Sequence, residues 1–512
     1  MASLPGPAGE AASEARSGTA SETAPSETAG RLPSVLAPAA LALALGLWGL
    51  TRDGSMWRDE SVTHQVAHRS LGEIWALLDN ADAVHGLYYV FMHGLFSVWE
   101  GGPATLRLPS VLAVSAAAAL VGLTAFRLAG RRAGVLSGLV FAATPEVQMY
   151  AQEGRSYAMV CASVALATCL LARSLTGASG RIGVPYVCAV LAAGWLHVFA
   201  ALALLAHGIT VALSRETPRL RRSWPVAAGC AFIGLVPLVL FSMGQTGQVS
   251  WIGGPKPREW FEIAAVALVA VLCAWYLASG ERHALVPRLA LPLAVVPTAV
   301  LLLAAVHEPM YVDRYVLFTN VGFSLLVGTS LSGLLTSASA LAPLRSRAAR
   351  SAAVAVVAAA VVLALTPVTL QMRTPDSRKD DVTAIAEAVR QVSDPGDGVV
   401  FAPARRREWR LSHPDEFAGL VDLALMRSPR ASATLQGVEF PAAEIRRRMT
   451  SMDRIVVLSD PPGQPEDAFE QEAVKREVLR AVFYACSRTQ VKGAQVTLYS
   501  RSKSCGETPQ DD

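Results

Sequence analysis

Charge is scarce in this chain. Asp, Glu, Lys and Arg make up only 17% of its 512 residues, against 52% hydrophobic residues, and the formal net charge is +4. So small a surplus on so long a chain argues against nucleic acid as a partner. Lysine is scarcer still. The basic residues are nearly all Arg, which reads as codon bias rather than function. None of the seven cysteines falls in a Cys-x-x-Cys or Cys/His metal spacing, which removes zinc-finger and thioredoxin-like readings. The chain has no internal repeat, and its C-terminal third has no Gly-rich phosphate loop.

What remains is hydrophobic length. Apolar runs of the size needed to cross a ~30 Å hydrocarbon core as helix occur at Leu32–Leu50, Leu108–Phe126, Ala133–Tyr150, Ser156–Ala172, Ile182–Leu196, Val198–Leu213, Val226–Met243, Phe261–Ala278, Leu289–Val306, Val316–Leu335 and Ala352–Leu370. Ile182–Leu213 reads as one tilted helix or as two short ones meeting near His197, and charge decides for two. Lys and Arg collect in cytoplasmic loops. With the split, Arg127, Arg131, Arg132, Arg173, Arg181, Arg215, Arg219, Arg221, Arg222, Arg282, Arg288, Arg345, Arg347 and Arg350 all fall inside. The short outer loops then keep only Arg155, Lys256, Arg258 and Arg314. The expected fold is therefore a mostly α, polytopic bundle of about eleven spans, N-terminus in and C-terminus out.

Three further regions complete the expectation. Residues 1–31, rich in Ser, Glu, Ala, Pro and Gly, read as a disordered cytoplasmic tail. Residues 32–370 form the membrane domain, with a large first outer loop at 51–107. Two amphipathic helices are expected in that loop, one through Leu71, Ile74, Trp75 and Leu78 and one through Leu87, Val90, Phe91 and Leu95. Trp57, Trp75, Tyr88, Tyr89 and Trp99 are expected to anchor the loop at the interface. Residues 371–512 read as a small extracytoplasmic α/β domain. Its helices are expected near Asp380–Val392, Phe417–Met426, Ala442–Arg448 and Glu466–Arg480, and its strands at Val399–Ala402, Arg454–Leu458 and Ala494–Tyr499. Cys486 and Cys505 lie there, either paired or as two free thiols.

Polar residues gather at the outer helix ends: Trp57-Arg58-Asp59-Glu60, His85-Gly86-Leu87-Tyr88-Tyr89, Tyr150 to Tyr157 with Glu153 and Arg155, His197, and Asp313-Arg314-Tyr315. The expected topology puts all of them on one side at similar depth. Ionisable residues at that position are candidates for function.

This order of clusters resembles the membrane glycosyltransferases of the GT-C fold. It is similar in particular to bacterial members of glycosyltransferase family thirty-nine, the protein O-mannosyltransferase and aminoarabinose-transferase relatives. The resemblance covers roughly Leu32 to Leu370. It implies a multi-pass protein of the bacterial cell membrane that moves a sugar, mannose at the level of the family, from a polyprenyl-phosphate carrier to a protein, lipid or glycan acceptor outside. Asp59 matches the family's general base, and Glu60 would orient it or bind acceptor. Arg155 and Arg314 would grip the lipid phosphate. His85, Tyr88, Glu153, His197 and Tyr315 would line the substrate site. If Asp59 and Glu60 lie close, one of the two pKa values should rise. Some relatives use a divalent metal, but the spacing of Asp59, Glu60 and His85 is not a ligand signature, so no metal or cofactor is assigned. Asn320 departs from the pattern, since relatives often carry Pro there. The competing readings are a transporter or flippase of a lipid-linked substrate and a non-catalytic assembly partner that kept the fold.

Overall fold

The computed structural model describes residues 24–177, 180–245, 253–280, 283–307, 309–341, 347–503 and 505. The expected tail is shorter at its end, because Ala24–Arg31 already belong to the first helix; residues 1–23 lie outside the described residues, as do Arg282 and Arg345.

The membrane domain begins with α1 (Ala24–Leu47), and the first loop follows as α2 (Arg58–Ala67), α3 (Leu71–Asn80) and α4 (Gly86–Val98). Then come α5 (Pro103–Ala129), α6 (Arg131–Ala143), α7 (Pro145–Ala151), α8 (Tyr157–Thr176), α9 (Val184–Leu196) and α10 (Leu202–Leu213). The last members are α11 (Pro218–Met243), α12 (Pro257–Ala278), α13 (Leu285–Ala304), α14 (Thr319–Leu341) and α15 (Arg347–Gln371). Among the described residues, six helices are long and apolar enough to cross a membrane: α1, α5, α8, α11, α12 and α13. The chain is a multi-pass membrane protein.

Of the other expected spans, Val316–Leu335 and Ala352–Leu370 fall almost wholly within single helices, α14 and α15. Ala133–Tyr150 is not one helix but α6 and α7, broken at Thr144, which takes ψ 123°. The residue before a proline is pushed out of the α region, and Pro145 then starts the next helix at its first position. Ile182–Leu213 is two helices, as charge predicts, with His197 extended between them at φ −166°, ψ 121°. Small residues let the first bundle close: a Cβ on Gly122 would run into the Ser34 carbonyl of α1, so α1, α5 and α6 meet nearly backbone to backbone.

Both amphipathic helices of the first loop are present as α3 and α4, and Ser70 and Glu73 form a capping box at the start of α3. The anchors divide. Trp75 and Trp99 are exposed, but Trp57, Tyr88 and Tyr89 are buried in the protein. They face the space between helices, because α4 packs against α2 and α9 rather than lying free on a lipid surface.

The C-terminal domain is an α/β sandwich. Its strands are β1 (Gly398–Ala402), β2 (Val421–Asp422), β3 (Leu425–Arg427), β4 (Val438–Glu439), β5 (Arg454–Ser459), β6 (Tyr484–Val491) and β7 (Ala494–Ser500). The main sheet has the order β2-β1-β5-β7-β6, parallel from β2 to β5 and antiparallel beyond. On one face, α16 (Val382–Val392) packs with Trp409 and Phe417; on the other lie α18 (Ala442–Thr450) and α19 (Glu470–Val482). A one-turn helix, α17 (Glu408–Leu411), lies between β1 and β2. The helix expected at Phe417–Met426 is instead strands β2 and β3. Gly419 takes φ 81° there, and Val421 pairs with Gly398 of β1, so tertiary pairing overrides the apolar spacing. Cys486 and Cys505 form a disulfide.

This domain sits directly on the first loop. The Val382 N–H donates to the Met56 carbonyl at 2.7 Å, and the Arg58 N–H to Asp380 Oδ1 at 2.8 Å. Ser61 Oγ donates to the Glu408 carbonyl at 3.1 Å, and Arg69 Nη2 to the Thr434 carbonyl at 2.9 Å. Loop and domain therefore share one side of the membrane.

Candidate functional site

α2 is the element on which the site is built. The chain leaves α1 through a tight turn in which Arg52, Asp53 and Gly54 all take positive φ (45°, 56° and 81°). It re-enters a helix at Arg58, with Asp59 and Glu60 in the first turn. Acidic side chains are favoured there by the unpaired N–H groups and the positive end of the helix dipole.

The two neighbouring carboxylates have different fates. Glu60 is fully buried and accepts four hydrogen bonds: Arg52 Nη2 at 2.8 Å, Arg107 Nε and Nη2 at 2.7 Å each, and the Gly154 N–H at 3.0 Å. That fills the acceptor capacity of a carboxylate. Burial alone would raise its pKa, but Arg107 first and then Arg52 pull it down to about 2. The expectation that Glu60 orients Asp59 or binds acceptor is corrected by this geometry. Glu60 ties α2 to the start of α5 and to the loop before α8.

Asp59 points the other way. Its side chain is 16% exposed, and Oδ2 lies 3.7 Å from Arg314 Nη2. Burial again opposes ionisation, and Arg155, then Arg314 and Arg58, overcome it and hold the carboxyl below its usual range. Neither member of the pair is raised, contrary to the expected like-charge effect, because each carboxylate has its own arginines.

The remaining candidates converge. Arg155 Nη1 reaches Tyr89 Oη at 3.3 Å and Thr63 Oγ1 at 3.4 Å, and Tyr89 donates to Asp82 Oδ2 at 2.6 Å. Arg314 Nε donates to Tyr157 Oη at 3.2 Å, with its guanidinium 5.7 Å from the Tyr315 ring and 6.0 Å from Trp57. The His197 ring lies 4.7 Å from Tyr315 and 5.6 Å from His85. Burial, then Arg155, keeps both imidazoles neutral: His197 falls to about 3 and His85 well below its usual value. The Tyr88 hydroxyl and the Nδ1 atoms of His85 and His197 are buried with no hydrogen-bond partner among the described residues. They are polar atoms turned inward with nothing to bond, as a polar ligand's site would leave them.

Glu153 sits behind this group. Its nearest cation is Arg378 Nε at 3.7 Å, neither oxygen has a hydrogen-bond partner among the described residues, and burial pushes its pKa up to about 7 against the pull of Arg378. Asn320, the departure from the family pattern, donates to Glu146 Oε2 at 2.9 Å and to the Leu317 carbonyl at 3.0 Å, a link between α14 and α7 that a proline could not make.

Asp59, Glu60 and His85 do not fit a divalent ion. Glu60 has no free oxygen, and guanidinium groups already occupy the cation positions around Asp59. Sequence reasoning missed Arg107, Arg52, Asp82 and the linker residues Arg378 and Lys379, the last close enough to Asp59 to lower its pKa. An arginine at the very start of an apolar span, as Arg107 is, is the signal that could have found the first of these.

Compared with family models and with curated protein sequences, the chain matches none. Among solved structures it is similar to ArnT from Cupriavidus metallidurans in the apo state, with TM-score 0.55 at 12% identity, over 92% of this chain and 98% of that one. The same protein bound to undecaprenyl phosphate gives TM-score 0.51 at 11% identity, with the same coverage. The archaeal oligosaccharyltransferase AglB from Archaeoglobus fulgidus, in complex with an inhibitory peptide and a dolichol-phosphate, gives 0.48 at 10% identity, over 94% of this chain and 75% of that one. At these identities the likeness is one of fold, and the fold is GT-C-like.

Proposed function

We propose that this chain is a membrane glycosyltransferase that moves a sugar, mannose at the level of the family, from a polyprenyl-phosphate carrier to an acceptor outside the cytoplasm, with Asp59 as general base. The observation that carries the reading is one ionised carboxylate, Asp59, facing two buried arginines, Arg155 and Arg314. The cluster lies beside inward-facing polar atoms on His85, Tyr88 and His197. The fold shared with ArnT, whose structure is known with undecaprenyl phosphate bound, supports a lipid-phosphate donor.

The chemistry follows from the charges. An acceptor hydroxyl gives its proton to Asp59 while its oxygen forms a bond to the anomeric carbon. The bond from that carbon to the carrier phosphate breaks, and its electron pair leaves with the phosphate. A phosphate leaving group needs little acid help, so a single base suffices, unlike the carboxylate pair of hydrolases. In the free site Arg155 and Arg314 make Asp59 a weak base. A bound donor phosphate would draw the same guanidinium groups to itself and raise the basicity of Asp59 when the substrate is in place. The inverted product follows from attack opposite the leaving group.

A second reading places the base at Glu153, favoured by its pKa of about 7, close to the working range of a general base. The sidedness, with N-terminus in and C-terminus out, is supported by the arginine distribution and by the Cys486–Cys505 disulfide, a bond that persists in oxidising compartments. The test is to incubate membranes containing the chain with labelled polyprenyl-phosphate mannose. A labelled product that disappears in Asp59→Ala and persists in Glu153→Gln supports the first reading; the reverse supports the second.

A further inference from the structure

The far end of α2 carries side chains that the reaction above does not use. His64 and His68 are four residues apart and so share one helix face, with ring centroids 4.3 Å apart. His68 ends the helix. Its Nδ1 donates to the His64 carbonyl at 2.7 Å, which fixes the ring orientation and leaves Nε2 to face away from the helix. Nε2 in turn lies 3.0 Å from Glu100 Oε2, which arrives from the turn between α4 and α5. His64 adds a third donor, and its Nδ1 is buried without a hydrogen-bond partner among the described residues. One ligand atom from each of the three residues lies within 4.8 Å of the other two.

The geometry points to a divalent metal site formed by His64, His68 and Glu100, zinc by the chemistry of its donors, which we propose as a second site of this protein. Two histidines at i, i+4 on a helix with a carboxylate from another element form a donor set of zinc centres that keep one position open. The carbonyl bond to His68 Nδ1 is the outer-shell contact that fixes a ligating imidazole. A cleft of ≈ 390 Å³ opens beside the two histidines, and Ser412 and Arg430 of the C-terminal domain line its other wall. Arg430 Nη2 also donates to the His68 carbonyl at 3.0 Å. A metal here would fasten the end of α2 to the α4–α5 turn, next to the seam with the C-terminal domain. None of the three ligands belongs to the Asp59 cluster, so the site stands or falls apart from the transferase reading.

The experiment uses full-length protein purified in detergent, stripped with EDTA, dialysed against Zn²⁺ and assayed by metal mass spectrometry. One zinc per chain is expected in the wild-type protein and in Asp59→Asn, and none in the double variant His64→Gln/His68→Ala. Zinc should also raise the melting temperature of the stripped wild-type protein by mass action and leave that of the double variant unchanged. Should the double variant fail to fold, Glu100→Gln replaces it. That change of an exposed side chain should weaken zinc binding by at least about tenfold, the smaller effect of losing even an outer-shell partner. Wild-type protein that retains no zinc above the dialysis buffer, or folded variants that retain as much as wild type, would overturn the assignment.

Discussion

The guanidinium of Arg107 lies edge-on to the carboxylate of Glu60, with Nε and Nη2 each donating at 2.7 Å and neither residue exposed. This is the bidentate form of the ion pair, the strongest that the two groups can make. Glu60→Gln keeps the shape but leaves two buried arginines short of a negative charge. It should destabilise the protein by about 3–5 kcal/mol, read as a lower melting temperature in detergent, with activity lost in proportion to folded protein. The sign in pH is fixed. The folded pKa of about 2 lies below the ordinary 4.5, so this stabilisation is complete above pH 4.5 and is lost as pH falls through about 2.

Asp59→Asn removes the basic oxygen and preserves the shape. Under the proposed mechanism kcat falls by roughly 10²-fold or more, while affinity for the lipid donor changes little. A folded Asp59→Asn protein turning over at near the wild-type rate would remove Asp59 from the role of base.

Arg155→Ala and Arg314→Ala should each raise the KM for the polyprenyl-phosphate donor. Lysine at either position should restore it only in part, because an ammonium lacks the planar fork that meets two phosphate oxygens. Unchanged donor affinity in both alanine variants would mean that the arginines serve only Asp59 and the aromatic rings around them.

Glu153 gives a pH signature of opposite sense to Glu60. Burial raises its folded pKa from 4.5 to about 7, so the folded state binds the extra proton between those values and stability falls as pH rises from 4.5 through 7. Glu153→Gln should abolish that slope and leave the protein more stable than wild type above pH 7. Melting curves of both proteins at pH 5, 6 and 8 check it.

Fusing a reporter after Asp512 tests the sidedness. Alkaline phosphatase should be active there and green fluorescent protein dark. The reverse pattern would put the C-terminal domain, and with it the first loop and Asp59, in the cytoplasm.

The sequence made the scaffold legible because a bilayer demands long apolar helices and marks their ends with arginine. It also brought out the polar clusters at one set of helix ends. What it could not resolve was which of two adjacent carboxylates does which task. Asp59 and Glu60 look alike in sequence, and their difference comes from Arg107 and Gly154, which approach Glu60 from distant points of the chain. Tyr88 and Tyr89 misled for a similar reason: their amphipathic spacing fits a membrane surface, yet α2 and α9 cover them. Strand β6 went unseen because its exposed, alternating polar residues carry no apolar run, as befits an edge strand.

The hydrogen bond from the Val382 N–H to the Met56 carbonyl joins two segments that leave the ribosome far apart in time. The turn that launches α2 emerges with the first helix, whereas its partner emerges only after every membrane span has been made. Asp380, which receives the Arg58 N–H, is in turn pressed against Gly493 in the last hairpin, where a Cβ would collide with it. Until that hairpin has closed, the Asp59 end of α2 lacks this support. A chain caught mid-synthesis, or one clipped before its final strands, would hold a complete membrane bundle with the Asp59 cluster left unbraced on that side.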